Sequence, residues 1–223
     1  MNRLYHLLHL ADSALPAGGY AFSSGLEGAY QLGLLDSPSA LEEFIQSALT
    51  AAGQGEIPFI HSCYRDLDDD NVAAMLHFYD AMQTAPAMRR ASLTLGKNWL
   101  RLLIDLYPQA KLAAWRRQLA QKQCPAHYTP VFGLALKAAG FTQVDAQELF
   151  IFQVLRDQMS AAVRLGIIGP MEATRRQLNL YAHGERVLAE VAGRPYKQAS
   201  RCAPQLDIAQ AVHDDLYSRL FQS

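Results

Sequence analysis

Charge is scarce in this chain. Charged residues make up 18% of its 223 positions, against roughly 25% in an ordinary soluble domain, while 50% are hydrophobic. That balance leaves apolar surface beyond a core to be covered, and large exposed apolar patches are uncommon on monomers. A partner surface or a self-interface is the simplest cover. Cysteine is scarce as well. Cys63, Cys124 and Cys202 stand far apart with no CxxC pair, which excludes a disulfide scaffold, gives no zinc signature and fits a reducing cytoplasm. No apolar run approaches the ~20 residues that span a bilayer. The start, Met1 to His6, lacks the layout of a signal peptide. A net charge of −1 gives no bulk attraction for nucleic acid or anionic membrane. Alternating β-branched runs, the signal of strands, are absent too.

Helical spacing takes their place. Over 87–107, Met88, Ala91, Leu95, Trp99, Leu102, Leu103 and Leu106 form one apolar stripe, with Arg89, Arg90, Lys97 and Arg101 mostly off it. Pro86 suits the first turn of that helix and Pro108 stops it. A second stripe runs over 144–164 through Ile151, Leu155, Met159 and Ala162, broken by Gly166 and Gly169-Pro170, and another helix follows from Met171 to Val191. Ser37-Pro38-Ser39 opens a helix in which Ser39 and Glu42 are spaced like a capping box. Shorter helical pieces are expected at 3–10, 23–32, 57–66, 71–84, 109–122, 130–139 and 205–220. The expected fold is all-α: a single helical bundle of about ten helices over 1–192, with an irregular N-terminal turn. A loosely attached C-terminal tail, 193–223, carries a short helix.

Charge is also unevenly dealt. Residues 1–85 hold 11 acids and 2 bases, 86–140 hold 1 acid and 9 bases, and 141–223 hold 9 of each. Either acidic and basic helices neighbour each other, or the basic middle meets an acidic partner.

Motifs of catalysis fail at the residues their chemistry needs. Asp66, Asp68 and Asp70 begin like a calcium loop, but Asn71 and His77 stand where glycine and the bidentate glutamate belong. Gly96-Lys97 lacks the P-loop hydroxyl, since Asn98 follows. Ser23 and Ser24 lie near glycines without a GxSxG elbow. His6 and His9 sit three apart, as two metal ligands or two ordinary helix histidines. His127, between Pro125 and Pro130, is expected to rigidify or cap a turn, and His213 beside Asp214 and Asp215 to lie in a solvated tail. Trp99 and Tyr107 belong to the apolar stripe or flank it, so the basic middle has no stacking platform for nucleic acid.

The most specific segment is 10–27, LADSALPAGGYAFSSGLE. A helix ends near Asp12, Pro16 fixes one backbone angle, and Gly18-Gly19 admits conformations closed to other residues. The chain then turns into a new helix through Phe22-Ser23-Ser24, with Tyr20 and Phe22 in fixed pockets. This segment closely resembles the signature of the UreF family of urease accessory proteins. The segments 127–133 (HYTPVFG), 160–166 (SAAVRLG) and the ending, Asp207-Ile208 with 217–223 (YSRLFQS), resemble the same family in the same order. The matches run from residue 4 to the last residue.

The resemblance implies a cytoplasmic, all-α, dimeric protein that is no enzyme and holds no bound cofactor. It implies binding to the accessory protein UreD (also called UreH) and recruitment of the GTPase UreG, with GTP hydrolysis tuned so that nickel, the cargo, passes to apo-urease. It places Asp12, Ser13, Pro16, Gly18, Gly19, Phe22, Ser23, Gly25 and Glu27 in an ordered N-terminal turn. Tyr217, Ser218, Arg219, Leu220 and Phe221 are expected to dock on UreD, with Leu220 and Phe221 as apolar anchors and Arg219 as a rim charge. Arg156 and Arg164 are candidates for partner contacts, and His6 or His9 for a nickel entrance, no other metal ligand being expected. Two readings of other classes stand beside this one: a small helical hydrolase using Ser23 or Ser24, and a purely structural helical dimer.

Overall fold

The computed structural model describes residues 3–201, 203–217 and 219–222. They form eleven α-helices and no strand: α1 (Arg3–Ala11), α2 (Leu26–Gln31), α3 (Pro38–Gly55), α4 (Ile57–Cys63), α5 (Asp69–Ala81), α6 (Pro86–Leu106), α7 (Leu112–Gln121), α8 (Tyr128–Ala138), α9 (Gln143–Arg164), α10 (Pro170–Glu190) and α11 (Pro204–Ala211). The all-α expectation holds, and the two strongest stripes became α6 and α9. None of the described helices is long and apolar enough to cross a membrane.

The helix starts show why local chemistry decides boundaries. Pro38 occupies the first turn of α3, so the residue before it must be extended and becomes the cap: the Ser37 hydroxyl accepts the Ala40 N–H at 3.1 Å. The expected Ser39–Glu42 box is therefore displaced by one proline. A true capping box opens α9 instead, with Thr142 and Asp145 exchanging bonds. Asp68 caps α5 through the Asn71 N–H at 2.8 Å, which gives the aspartate run a structural role.

α8 and α9 lie at the centre, where Trp99 of α6 stacks on Phe132, and Phe132 meets Phe150 edge to face. α6 crosses α8 at very close range. An added Cβ at Gly96 would stand 2.1 Å from the Ala126 carbonyl oxygen, so only glycine lets this helix reach the start of α8. The unevenly dealt charges meet across neighbouring helices: Arg89 of α6 pairs with Asp80 of α5, and Lys122, just past α7, reaches Asp69 and Asp70.

The segment after α10 is not loose. Tyr196 donates its N–H to Ser62 at 2.8 Å and packs among Phe59, Phe78 and Tyr79. The Ser200 N–H reaches the Gln54 carbonyl at 3.0 Å, and Arg201 forms an ion pair with Glu56. α11 then buries Leu206 and Ala209 against α2. The helix expected over 205–220 ends at Ala211, runs on as a short 3-10 turn (Val212–Asp215), and becomes irregular. The irregular stretch 193–204, with Gly193, Pro195 and Pro204, made the segment read as a loosely attached tail, but Tyr196, Leu206, Ala209 and Phe221 are buried in the chain's own body while Ile208, Tyr217 and Leu220 stay exposed.

Candidate functional site

The N-terminal turn and the C-terminal end form one continuous surface. Asp12 accepts the Ala14 N–H at 2.8 Å and starts the turn, and Gly18 follows in the left-handed region at φ 90°. A 3-10 turn, Gly19–Ala21, leads to Phe22, which is buried. The Ser23 hydroxyl accepts the Glu27 N–H at 3.3 Å, anchoring the start of α2. Gly19 sits against Asp157 of α9, close enough that an added Cβ would lie 3.2 Å from its carboxyl oxygen. Ser13 and Pro16 complete the turn on its outer side, and Gly25 precedes α2. The side chain of Tyr20 lies outside the described residues.

Glu27 is 2% exposed, yet its carboxylate is the joint of the site. One oxygen accepts the Leu220 N–H at 2.6 Å and the other the Phe221 N–H at 3.2 Å. Gln222 adds its N–H to the Ala21 carbonyl at 2.8 Å, and the Phe221 ring lies 4.1 Å beneath the Arg164 guanidinium. Phe221 is 5% exposed, Leu220 is 53% exposed and Tyr217 stands fully in solvent, as does much of Arg219. Ser218 lies outside the described residues. Of the residues expected to dock on a partner, Tyr217, Leu220 and Arg219 thus present a surface, whereas Phe221 is a plug in the chain's own turn.

Arg156 is turned inward as well. Its guanidinium donates to the Ala11 carbonyl at the end of α1 and pairs with Asp157 at 2.7 Å. Cations at a helix C-terminus complement the helix dipole, so Arg156 fixes α1 on α9. Burial pushes the Asp157 carboxyl up, against the pull of Arg156. Gln153 joins the same corner, donating to the Leu10 carbonyl at 3.0 Å and accepting from the Tyr128 hydroxyl at 2.8 Å. His6 hydrogen-bonds the Tyr107 hydroxyl at 3.0 Å and meets Phe141 edge-on, while His9 is exposed. No three His, Cys, Asp or Glu side chains come together as metal ligands among the described residues.

Beneath the turn lies a cavity of about 230 Å³, walled largely by apolar side chains including Leu10, Leu15 and Phe150. At one end Glu56 accepts from Tyr79 at 2.7 Å and Thr129 at 2.6 Å, and binds Arg201. Spacing alone had no means of revealing this polar end, because its four members come from α8, α5 and the edges of α4 and α11. His213, expected in a solvated tail, is buried 3.9 Å from Glu27.

His127 departs furthest from its expected role. It is completely buried, with Nε2 2.8 Å from Asp80 and Nδ1 3.0 Å from the Ser92 hydroxyl. Burial pushes its imidazole below the ordinary 6.5, outweighing the hydrogen bond to Asp80. His61 is lowered too, first by burial and then by Arg65. The unfolded chain therefore takes up protons that the folded chain refuses. Stability is full above about pH 6.5 and falls as the pH drops below it. A lower thermal midpoint at pH 5 than at pH 7.5 is expected, with a smaller difference in His127→Gln; a midpoint flat across that range would contradict it.

The decisive observation is the match of residues 35–181 to the family model UreF, well over half of the chain. The chain belongs to the UreF family. It is 32% identical over 222 residues to a urease accessory protein F of Oryza sativa subsp. indica, covering 99% of this chain and 85% of that protein. It is 33% identical over 216 residues to urease accessory protein F of Arabidopsis thaliana, covering 96% and 90%. With urease accessory protein UreF of Azoarcus sp. (strain BH72) it shares 30% over 225 residues, covering 99% and 95%. The UreF family is one of urease accessory proteins, and the chain's place is in urease maturation.

Proposed function

We propose that this chain is a cytoplasmic assembly factor whose part in urease maturation is binding, with no catalytic step of its own in that process. It docks on UreD/UreH and recruits the GTPase UreG, so that GTP hydrolysis accompanies delivery of nickel, the cargo, to apo-urease. It works as a homodimer. The observation that carries the docking reading is the composite face in which Glu27 clamps the C-terminal end onto the N-terminal turn. A rigid apolar end with Tyr217 and Leu220 exposed beside Arg219 has the composition of a binding hot spot: aromatic and aliphatic anchors with an arginine at the rim. A related protein of Bordetella bronchiseptica is a bifunctional urease accessory protein UreEF, which matches this chain over 52% of its length. That architecture supports a protein that works alongside other accessory factors.

The test is capture of UreD/UreH by the tagged protein. Tyr217→Ala combined with Leu220→Ala should weaken capture by at least about tenfold, given that hot-spot truncations cost ≥ ~2 kcal/mol, without changing the helical content. Phe221→Ala is a poorer probe, because it empties a buried site in the chain itself. Full capture by the double variant would refute the docking assignment. Restoration of nickel-dependent urease activity in cells lacking their own factor separates this reading from a purely structural helical dimer.

A further inference from the structure

Ser92 of α6, His127 at the start of α8 and Asp80 of α5 form a hydrogen-bonded line. We infer that Ser92 is an activated nucleophile, and that the cavity beneath the N-terminal turn accepts esters with a small apolar acyl group.

The order of the groups supports base catalysis. Ser92 lines the cavity, and His127 stands behind it, fully buried. The Ser92 Oγ lies 3.0 Å from His127 Nδ1, and His127 Nε2 lies 2.8 Å from Asp80 Oδ1. A carboxylate at Nε2 fixes the tautomer that carries its proton there, which leaves the Nδ1 lone pair facing the serine hydroxyl. This is the serine–histidine–aspartate logic with the two ring nitrogens exchanged, and roles rather than ring positions define such an array. Arg89 holds Asp80 by two bonds, at 2.7 and 3.2 Å, and keeps its carboxyl below the ordinary value. A neutral imidazole backed by an ionised carboxylate is the state a general base needs. Ser92 Oγ also accepts the Tyr128 N–H at 3.2 Å, at the N-terminus of the 11-residue helix α8. Positive dipole at that end favours negative charge developing on or near the oxygen.

The substrate class follows from the walls. Ala91, Leu95 and Met88 flank Ser92 on the cavity side, and the cavity of about 230 Å³ is walled largely by apolar side chains, with Glu56, Tyr79, Thr129 and Arg201 at its polar end. A short acyl chain fits such a lining, whereas a charged acyl group would lose its hydration. In the reaction, Oγ bonds to the ester carbonyl carbon as its proton passes to His127 Nδ1. The adduct collapses, the ester C–O bond breaks, and the alcohol leaves with that proton. Water repeats the sequence on the acyl-serine, releasing the acid and restoring Ser92. Ser23 is differently placed: its hydroxyl accepts the Glu27 N–H and serves the turn.

The probes are an alkyl fluorophosphonate, read by intact mass and peptide mapping on the full-length folded protein, and p-nitrophenyl butyrate, read by release of nitrophenolate. One phosphonyl adduct is expected on the peptide containing Ser92, formed with loss of fluoride and a proton, and absent after denaturation. Nitrophenolate should appear with the wild-type protein and vanish in Ser92→Ala. Asp80→Asn should slow both by at least about tenfold, because a positioned base contributes on the order of 10²–10⁴-fold. Wild-type protein is the deciding sample, so a variant that fails to fold does not blunt the test. An absent adduct on folded wild type, an adduct mapped to another serine, or labelling as fast in a folded Asp80→Asn as in wild type would overturn the assignment.

Discussion

Alanine at Gly96 should destabilise the protein by about 3 kcal/mol or more, since forcing a methyl group into a packed crossing costs roughly 1–3 kcal/mol and more where nothing yields. Nothing yields here. The new Cβ would stand 2.1 Å from the Ala126 carbonyl oxygen, 2.8 Å from the His127 carbonyl carbon and 2.9 Å from the Tyr128 nitrogen. All three are backbone atoms, so no rotamer change relieves the clash, and α6 must move off the start of α8. The shift also pulls Ser92, one turn earlier on α6, away from the Tyr128 N–H and from His127. For a domain of this size the thermal midpoint should fall by on the order of 10 °C, at roughly 2–4 °C per kcal/mol. Thermal unfolding followed by circular dichroism measures it. A midpoint within about 2 °C of wild type, well under the cost of a single kcal/mol, would show that the crossing is softer than its geometry.

The fold was legible where one helix face carries the whole signal. The stripe from Met88 to Leu106 marks α6 because its apolar residues serve a single packed surface, with Trp99 and Leu103 fully buried. Boundaries were legible where one residue decides them, as at Pro86, which opens α6, and Pro108, just past its end. The C-terminal segment was misjudged as loose because its anchors are long-range. Arg201 reaches back to Glu56 and Tyr196 to Ser62, pairings 145 and 134 residues apart, and no local pattern announces them. The site divides in the same way. The turn residues stood out through glycine and proline, whose backbone demands are local. Glu27 was placed in that turn, but its grip on Leu220 and Phe221 spans 193 and 194 residues. Ser92, 35 residues before His127, and Asp80, 47 before it, look like three unrelated polar positions until α5, α6 and α8 are packed.

Removing the Glu27 carboxylate should free the C-terminal end while leaving the helical body in place. Glu27→Ala deletes two bonds from backbone N–H groups to a buried charge, each worth about 1.5–3 kcal/mol, and no other side chain among those described supplies a carboxylate to Leu220 and Phe221. The Arg164 contact to the Phe221 ring and the single Gln222–Ala21 bond remain, and they are weaker than what is lost. Arg219 precedes the clamped residues, so trypsin reports the opening directly. When opening and closing are fast, cleavage follows the population of the open form. A loss of about 3 kcal/mol then accelerates removal of the last residues on the order of a hundredfold, at tenfold per 1.4 kcal/mol. Circular dichroism should change little, because α2 keeps its start through Ser23 and its packing through Leu26 and Ala29. Capture of UreD/UreH should weaken in parallel, since the exposed Tyr217 and Leu220 would lose their fixed positions beside the turn and would have to be ordered again on binding. Cleavage at the wild-type rate would mean that Phe221 and Arg164 hold the end without Glu27. Undiminished capture together with rapid cleavage would mean that the partner recognises the turn alone.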